Sequence, residues 1–332
     1  MIPLYGHDPA VAFFRDSLDR GRLHHAWLIT GVQGIGKATF AAKAGLRVLA
    51  GGQGAIDAPG LDVPDVHPAA KLMAAGSHPD LMVLERLAKD SSATGELARS
   101  ISVDQVRGLQ RLFSTTASLS PWRVVIIDSI DDLERNAANA LLKNLEEPPS
   151  HSLFLLVSHA PERLLPTIRS RCRLLRLSPL ETDAMAAALR SAVPDADDAE
   201  IADLVTAGQG SPGRAMAFRG LDIAGLDRAM ETITREGDPT NARRVALAQS
   251  LALKSAQPRY EAFLARAPSL IAAIARSRRG AALAESIRLW ERAQSLASSA
   301  RGLSLEPESV VFELSGMLAA LADDTSPRFA RG

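Results

Sequence analysis

The chain is poor in cysteine, in aromatic residues and in net charge. Cys172 is the single cysteine among 332 residues, which excludes an internal disulfide and a four-cysteine zinc site. Aromatic residues make up 4% of the chain, too few for a platform on which nucleic-acid bases stack. The 38 basic residues are balanced by 38 acidic ones, so global charge does not favour a polyanionic partner. We therefore expect no DNA binding by the isolated chain.

Long apolar runs are absent as well. No run approaches the roughly 20 residues that cross a bilayer. Residues 1–8 lack the basic region followed by an apolar core that marks a secretion signal. The simplest interpretation is a soluble cytoplasmic protein, long enough for two or three domains.

Short apolar runs alternate with helical patterns in the first half of the chain, which predicts a parallel sheet with crossover helices. The run at 123–128 is the clearest, because it is β-branched and uninterrupted, as in a strand buried on both faces. The strongest helix is predicted from Glu134 to Glu147 and ends before a pair of prolines. The five predicted strands are residues 27–30, 81–84, 123–128, 153–157 and 174–177.

Two segments break this pattern, and the class of structure changes in the second half. Residues 51–79 are rich in glycine and proline and predict a long irregular insertion, and residues 90–99 predict a polar loop. Beyond residue 178 the chain is rich in alanine and leucine at helical spacing. The sequence thus predicts an α/β domain followed by all-α structure.

A phosphate-binding loop, residues 31–37, follows the first strand and opens a helix. Its glycines let backbone N–H groups converge on phosphate oxygens, and its lysine neutralises their charge. The next position usually supplies a hydroxyl to Mg²⁺ but is Ala38 here, and Thr39 is rotated from it by roughly 100°. We expect phosphate binding to survive and hydrolysis to be weak or absent. The predicted nucleotide contacts are Gly31, Gly34, Gly36, Lys37, Ala38 and Thr39.

Three polar residues at the ends of the third and fourth strands are further candidates. Asp128 ends the third strand, where a parallel sheet places its metal-facing acid. Asp131 could orient an attacking water, although it is one methylene shorter than the usual glutamate; alternatively it or Asp132 caps a helix. Ser158 ends the fourth strand and could bond a γ-phosphate or water, or simply be a turn residue.

Alternating arginines surround Ser170 and Cys172. Because alternate residues of a sheet edge face opposite ways, Arg171 need not point where Arg169 and Arg173 do. An arginine supplied in trans to a γ-phosphate raises the rate by roughly 10³ to 10⁵. The alternative is a solvated basic patch. Cys172 is interpreted as a small buried apolar residue.

Together with their surrounding motifs, these residues resemble the clamp-loader branch of the AAA+ ATPases. The similarity covers about residues 4–220 and continues loosely into the helical C-terminus. It is carried by the lead-in to the loop at 23–28, by the Asn-Ala-Leu-Leu-Lys-Asn-Leu-Glu-Glu-Pro-Pro segment at 139–149, and by Ser170-Arg171-Cys172.

The resemblance implies a RecA-like AAA+ domain over 1–178, a helical lid over 179–220 and a helical collar over 221–332. Such proteins form a five-subunit ring in the DNA polymerase III holoenzyme that loads a sliding clamp onto primed DNA. The implied partners are the motor gamma/tau and delta subunits. Arg171 would project into a neighbour's ATP site, while Ala38 favours a non-hydrolysing subunit, with ATP or ADP bound weakly or structurally and Mg²⁺ binding weakened.

Two other departures from the family pattern bear on ligands. Many relatives carry a four-cysteine zinc module where this chain has residues 51–79, which contain no cysteine. His67 and His78 make a poor site without cysteine or carboxylate partners, so we expect no zinc. Arg214, in the Gly-Ser segment at 210–214, is shifted by one position from the phosphate-sensing arginine of motor subunits, which leaves its sensor role open.

Two other functions compete with this interpretation. The first is a catalytically active AAA+ ATPase, either a motor clamp-loader subunit or a helicase loader, against which Ala38 argues. The second is a small-molecule kinase, which explains neither the motif at 170–172 nor the helical last third. A kinase works as a monomer or dimer, whereas a clamp-loader subunit seeks unlike partners.

Overall fold

The structure is a computed structural model that describes residues 3–88, 97–114, 116–303 and 305–322. The chain divides into two units, Met1–Ala215 and Met216–Gly332. The three-part division predicted from the sequence is finer and stays a prediction. None of the described helices is long and apolar enough to cross a membrane.

The first unit is built on a five-stranded sheet with the order β2-β3-β4-β1-β5, and all four neighbouring pairs are parallel. Strands β1 and β4 are buried along their whole length, as their uninterrupted apolar sequences predict. The five predicted strands are confirmed. They are β1 Ala26–Thr30, β2 Leu81–Glu85, β3 Arg123–Asp128, β4 Ser152–Ser158 and β5 Arg173–Arg176.

Helices cover this sheet through apolar stripes. Helix α6 buries Ala137, Leu141 and Leu145 in a core that also contains Phe154 and Leu156 of β4. It spans one residue less at each end than predicted. The helices that begin in this unit are α1 Asp8–Asp19, α2 Lys37–Gly51, α3 Pro68–Ala74, α4 Val103–Arg107, α5 Leu109–Ser114, α6 Arg135–Glu146, α7 Pro166–Arg169, α8 Thr182–Ala192, α9 Asp198–Gly208 and α10 Pro212–Phe218.

The described part of the second unit contains helices and no strand, which confirms the predicted change from α/β to all-α structure. Its core is made of side chains at helical spacing, such as Phe263, Ala267 and Ile271 of α13, all of them fully buried. The helices of this unit are α11 Ile223–Glu236, α12 Ala242–Ala252, α13 Gln257–Ser277, α14 Gly280–Leu303 and α15 Pro307–Ala319.

One helix, α3, lies where the sequence predicted only irregular structure, so that prediction is wrong for residues 68–74. Proline at the first position of α3 has no N–H to leave unpaired, and the His67 ring nitrogen accepts a hydrogen bond from the backbone of Ala69 at 3.2 Å. Ala69 is buried against Leu46 of α2. Most of the predicted polar loop at 90–99 lies outside the described residues.

A buried arginine organises the irregular part of the insertion. Arg47 of α2 is 6% exposed. Its guanidinium donates to the backbone carbonyls of Ala58 at 3.3 Å, Asp62 at 2.9 Å and Ile56 at 3.1 Å. Lys43, one turn earlier, bonds the Asp62 carboxylate at 2.6 Å. Helix α2 thus holds the loop at 56–62 through two cationic side chains.

Replacing Arg47 tests this arrangement. We expect Arg47→Met to lower the free energy of unfolding by about 2 kcal/mol, because three partly buried hydrogen bonds to loop carbonyls are lost. Urea denaturation followed by circular dichroism measures the change. The control is Arg107→Met, which removes an exposed arginine whose ion pair with Asp104 spans 3.3 Å and is expected to cost about 0.5 kcal/mol or less. Equal effects of the two substitutions would show that Arg47 does not organise the loop.

Candidate nucleotide site

The phosphate-binding loop lies where β1 meets α2, and its backbone depends on glycine. Gly31, Gly34 and Gly36 have φ angles of 147°, 81° and 103°, a region that residues with a Cβ rarely adopt. Helix α2 begins at Lys37, and the N–H groups of its first turn have no intrahelical acceptor. The predicted combination of a glycine loop and a helix N-terminus is therefore present, and such a combination attracts anions.

Lys37 is buried and directed back at the loop. It is 3% exposed, and its ammonium group donates to the carbonyls of Gly31 and Val32, each at 2.7 Å. Burial lowers the pKa of Lys37 to about 8, against the opposing attraction of Asp128 and Asp131. A cation partly stripped of water in this way is poised to gain from an added anion.

The two predicted acids have different surroundings. Asp128 ends β3 half-buried, and burial raises the pKa of its carboxyl group although His159 and Lys37 act in the opposite direction. Asp131 accepts hydrogen bonds from the Ser158 hydroxyl at 2.9 Å, the His159 N–H at 2.6 Å and the Ala160 N–H at 3.4 Å. Asp131 is thus hydrogen-bonded to Ser158, the last residue of β4, and to the backbone of the two residues after it.

The two residues after Lys37 lie in different environments. Ala38 is exposed. Thr39 lines a cavity of about 360 Å³ between the loop and α8, beside apolar residues such as Ile35 and Leu180. Neither Asp128 nor Asp131 lines this cavity, so Thr39 is not grouped with the acids. The ring of the buried His7 lies 2.8 Å from the carbonyl oxygen of Ile35.

A tight backbone contact joins the loop to the lid turn, which we define as residues 209–214. The Gly213 N–H donates to the Gly34 carbonyl at 2.9 Å, and the fully buried Ser211 donates its hydroxyl to the Gln33 carbonyl at 2.8 Å. A Cβ on Gly213 would lie 2.7 Å from the Gly34 Cα. Within this motif, the sequence pattern pointed to Arg214 and not to Ser211 and Gly213.

The predicted sensor arginine points along the lid turn. One guanidinium nitrogen of Arg214 bonds the Gln209 amide oxygen at 3.3 Å, and the Arg214 backbone N–H bonds the Ser211 hydroxyl at 3.2 Å. A role for Arg214 in sensing phosphate stays a prediction. In the part of the chain that the structure describes, no three His, Cys, Asp or Glu side chains converge as metal ligands, and the expectation of no zinc also stays a prediction.

The arginines around Ser170 diverge from one another. The Arg171 guanidinium pairs with the Glu146 carboxylate at 2.7 Å and donates to the Thr167 carbonyl at 2.8 Å. Arg173 instead packs over the rings of Phe13 and Trp27, with its guanidinium carbon 4.3 Å and 5.1 Å from their centroids. The Arg171 guanidinium is therefore held by Glu146 and Thr167 and does not share the aromatic surroundings of Arg173. No local sequence pattern identifies Glu146 as the partner of Arg171.

The amino ends of the parallel strands form one edge of the sheet and their carboxyl ends form the other. Arg171 lies at the amino edge and the phosphate-binding loop at the carboxyl edge. Strand β5 pairs in parallel with β1, from Trp27 opposite Arg173 to Thr30 opposite Arg176. Arg171 precedes β5, whereas the loop follows β1. At about 3.3 Å per residue, four residues of strand separate the two edges by about 13 Å. Cys172 directly follows Arg171. Burial raises the pKa of its thiol to about 12, so Cys172 packs as an uncharged, partly buried residue.

The sequence places this fold and these motifs in a family. A family model described as "DNA polymerase III, delta subunit" matches residues 6–181, more than half of the chain. The chain belongs to this family, which confirms the family membership predicted from its motifs.

Individual relatives carry a more particular name. The chain is 38% identical over 205 residues to DNA polymerase III subunit delta' of Pseudomonas aeruginosa, covering 61% of this chain and 58% of the relative. It is 35% identical over 208 residues to the subunit delta' of Escherichia coli, covering 61% and 56%. It thus spans a little over half the length of these curated relatives. A Thermotoga maritima structure titled a DNA polymerase III gamma subunit-related protein aligns with 92% of this chain and 99% of its own, at a TM-score of 0.43 and 13% identity.

The buried state of Lys37 predicts a pH dependence of stability. The pKa is about 8 in the folded chain against 10.5 for an ordinary lysine, so between these values the unfolded chain binds more protons and stability rises with pH. Relative to Lys37→Met, the wild type is expected to gain about 2 kcal/mol in unfolding free energy between pH 7.5 and 10. Urea denaturation of both proteins across this range measures the difference. A difference independent of pH would contradict the buried, desolvated lysine.

The lid contact predicts a specific sensitivity at Gly213. Gly213→Ala is expected to lower the free energy of unfolding by about 2 kcal/mol, because its new methyl group is forced against the backbone of Gly34. The matched control is Gly51→Ala at the end of α2, where an added Cβ meets nothing within 4 Å. Thermal and urea unfolding of both variants provide the comparison. If Gly213→Ala is as stable as the control, the loop and lid turn are not held together as described.

Proposed function

We propose that the chain is a non-hydrolysing, delta'-like subunit of the DNA polymerase III clamp loader, which supplies Arg171 in trans to the ATP site of a neighbouring subunit. The observation that carries this proposal is the position of Arg171 at the sheet edge opposite the chain's own phosphate-binding loop. There its guanidinium is held by Glu146 and the Thr167 carbonyl, neither of which belongs to the chain's own nucleotide site. Its side chain is 34% exposed, so it is accessible to a second subunit.

The chemistry of Arg171 suits such a role. A guanidinium stays charged at any physiological pH and presents its N–H donors in a planar fork that matches phosphate oxygens. Charge that develops on a transferring phosphoryl group is stabilised by a donor already held in position. In the isolated chain Glu146 and the Thr167 carbonyl hold that fork; in the assembly the neighbour's γ-phosphate takes the place of the carboxylate.

The residues around the chain's own loop are suited to binding a nucleotide but not to hydrolysing ATP. The first turn of α2 and the ammonium of Lys37 fit the phosphates of ATP or ADP, and the cavity beside Thr39 and Leu180 is apolar enough for a base. Bound Mg²⁺ would supply charge neutralisation, but Ala38 offers no hydroxyl ligand, and the Asp131 carboxylate is occupied by Ser158 and the backbone after it. The nucleotide is then a weakly bound or structural ligand.

The proposed partners follow from the family. They are the motor gamma/tau subunits and the delta subunit in a five-subunit ring, with the sliding clamp and primed DNA engaged by the assembled loader. The composition of the chain supports this order of events, because its balanced charge and scarce aromatic residues offer the isolated chain no general affinity for DNA. Its place of action is then the cytoplasm.

The test is the ATPase of a reconstituted clamp loader stimulated by clamp and primed DNA. Arg171→Ala is expected to slow hydrolysis at the neighbouring site by about 10³-fold or more. In single-turnover measurements the phase contributed by that site should disappear, while size-exclusion chromatography shows the complex intact. Arg163→Ala, which removes another exposed arginine of the same region, serves as the matched control and should leave every phase in place.

Two results would contradict the proposal. An unchanged single-turnover profile for Arg171→Ala would make Arg171 a structural or surface residue. Loss of a hydrolytic phase on replacing Lys37 by Met in this subunit alone, with assembly intact, would instead show that the chain is an active AAA+ ATPase.

A further inference from the structure

A second cavity in the first unit adjoins the nucleotide site and reaches the first two residues of its loop, Gly31 and Val32. It has a volume of about 730 Å³ and runs along one face of β5. Its walls come from the end of β1, the start of the phosphate-binding loop, the turn at Pro161 and Glu162, α7 and β5. It therefore extends from Ser170 at the amino edge of the sheet to Arg176 at the carboxyl edge. We call it the β5 cleft.

The floor of the β5 cleft is apolar and uncovered. Leu174 lies opposite Leu28 in the parallel register of β5 and β1, so both side chains stand on the same face of the sheet. Leu28 is 2% exposed and belongs to the core, whereas Leu174 is 58% exposed. Pro161 and Pro166 extend the apolar lining. A leucine this exposed, continuous with buried core and lying inside a concavity, is typical of a surface that another molecule covers.

The rim of the cleft carries two positively charged side chains. Arg169 and Arg176 line the cleft and are exposed, and within the described chain neither side chain takes part in a hydrogen bond or ion pair. Glu162 and His159 also line the cleft, so its polar rim is mixed rather than purely basic. Two free guanidinium groups flanking an apolar floor complement a segment that carries carboxylates on either side of an apolar side chain.

We propose that the β5 cleft docks a segment of the neighbouring clamp-loader subunit, in which an apolar side chain covers Leu174 and carboxylates pair with Arg169 and Arg176. This inference rests on the proposed function, because the neighbour is the subunit whose ATP site receives Arg171. The cleft begins at Ser170, directly beside Arg171, so a subunit that approaches that arginine also reaches the cleft. A nucleic acid would pair with the guanidinium groups but would leave the leucine floor without an apolar partner.

The cleft and Arg171 then have separate tasks. The cleft supplies buried apolar surface and complementary charge, which hold the two subunits together. Arg171 supplies charge to the neighbour's phosphate, which accelerates hydrolysis. Substitutions in the cleft should therefore weaken association, whereas Arg171→Ala should leave association unchanged and slow the chemistry. This division distinguishes a docking surface from a catalytic one.

The experiment measures the affinity of the full-length chain for the purified gamma/tau-type subunit of the same organism by isothermal titration or biolayer interferometry. Leu174→Asp and Arg176→Glu are each expected to raise the dissociation constant by about tenfold or more, as at a buried anchor of an interface. The matched control for the leucine is Val83→Asp. Val83 is 46% exposed on β2, which is the outermost strand on the side of the sheet away from β5. The control for charge is Arg107→Glu, because Arg107 is an exposed arginine of α4 that does not line the cleft. Both controls should change the constant by less than about twofold.

The outcomes separate the two proposals. If the wild type binds and the cleft variants bind equally well while circular dichroism shows them folded, the docking surface is wrong and the proposed function stands. If the wild type does not bind the subunit at all, the proposed function fails first. If Arg176→Glu leaves subunit binding intact but abolishes retention of primed DNA by the assembled loader, the cleft binds nucleic acid and the docking proposal is overturned.

Discussion

The parallel register of β1 between β4 and β5 is the constraint on which the rest of the site depends. Because the strands run in one direction, the residues that follow β1, β3 and β4 share the carboxyl edge of the sheet, and Thr30 lies between Ser158 and Arg176. The same direction puts whatever precedes β5 at the other edge. One geometric rule thus brings Lys37 near its acids and separates Arg171 from them. A chain built in this way can offer its own nucleotide site and its arginine to different partners.

The carboxyl edge is held by backbone contacts more than by charge. The Asp131 carboxylate accepts hydrogen bonds from the Ser158 hydroxyl and from the two N–H groups after it. The Gly34 carbonyl accepts one from the Gly213 N–H. The hydrogen bonds of Gly213 to Gly34 and of Ser211 to Gln33 fix the loop and the lid turn against one another. Under the proposed function the site does not hydrolyse ATP, so these fixed contacts oppose no catalytic opening and closing.

The sequence was most informative where one local rule decided the structure. The buried strands follow from uninterrupted β-branched and leucine runs, and the loop from its glycines, because each signal lies within a few residues. Helix α3 was missed because Ala69 packs on Leu46 of α2, 23 residues earlier, whereas the prolines around it suggest a turn. The partners of Asp131 and Gly213 were missed for the same reason: their contacts span 27 and 179 residues, respectively, and no local pattern encodes them.

Under the proposed function, the ion pair of Arg171 with Glu146 positions the arginine for a neighbouring subunit without holding it too tightly. Both side chains are partly exposed, 34% and 48%, and a pair in such surroundings contributes only about 0–1 kcal/mol. Exchanging the carboxylate for a phosphate in a subunit interface therefore costs little. A phosphate there is less hydrated and more highly charged, so the same fork of donors binds it more strongly. A buried pair would have held the arginine too tightly for this exchange, and an unpaired side chain would have lost more rotamer freedom on binding.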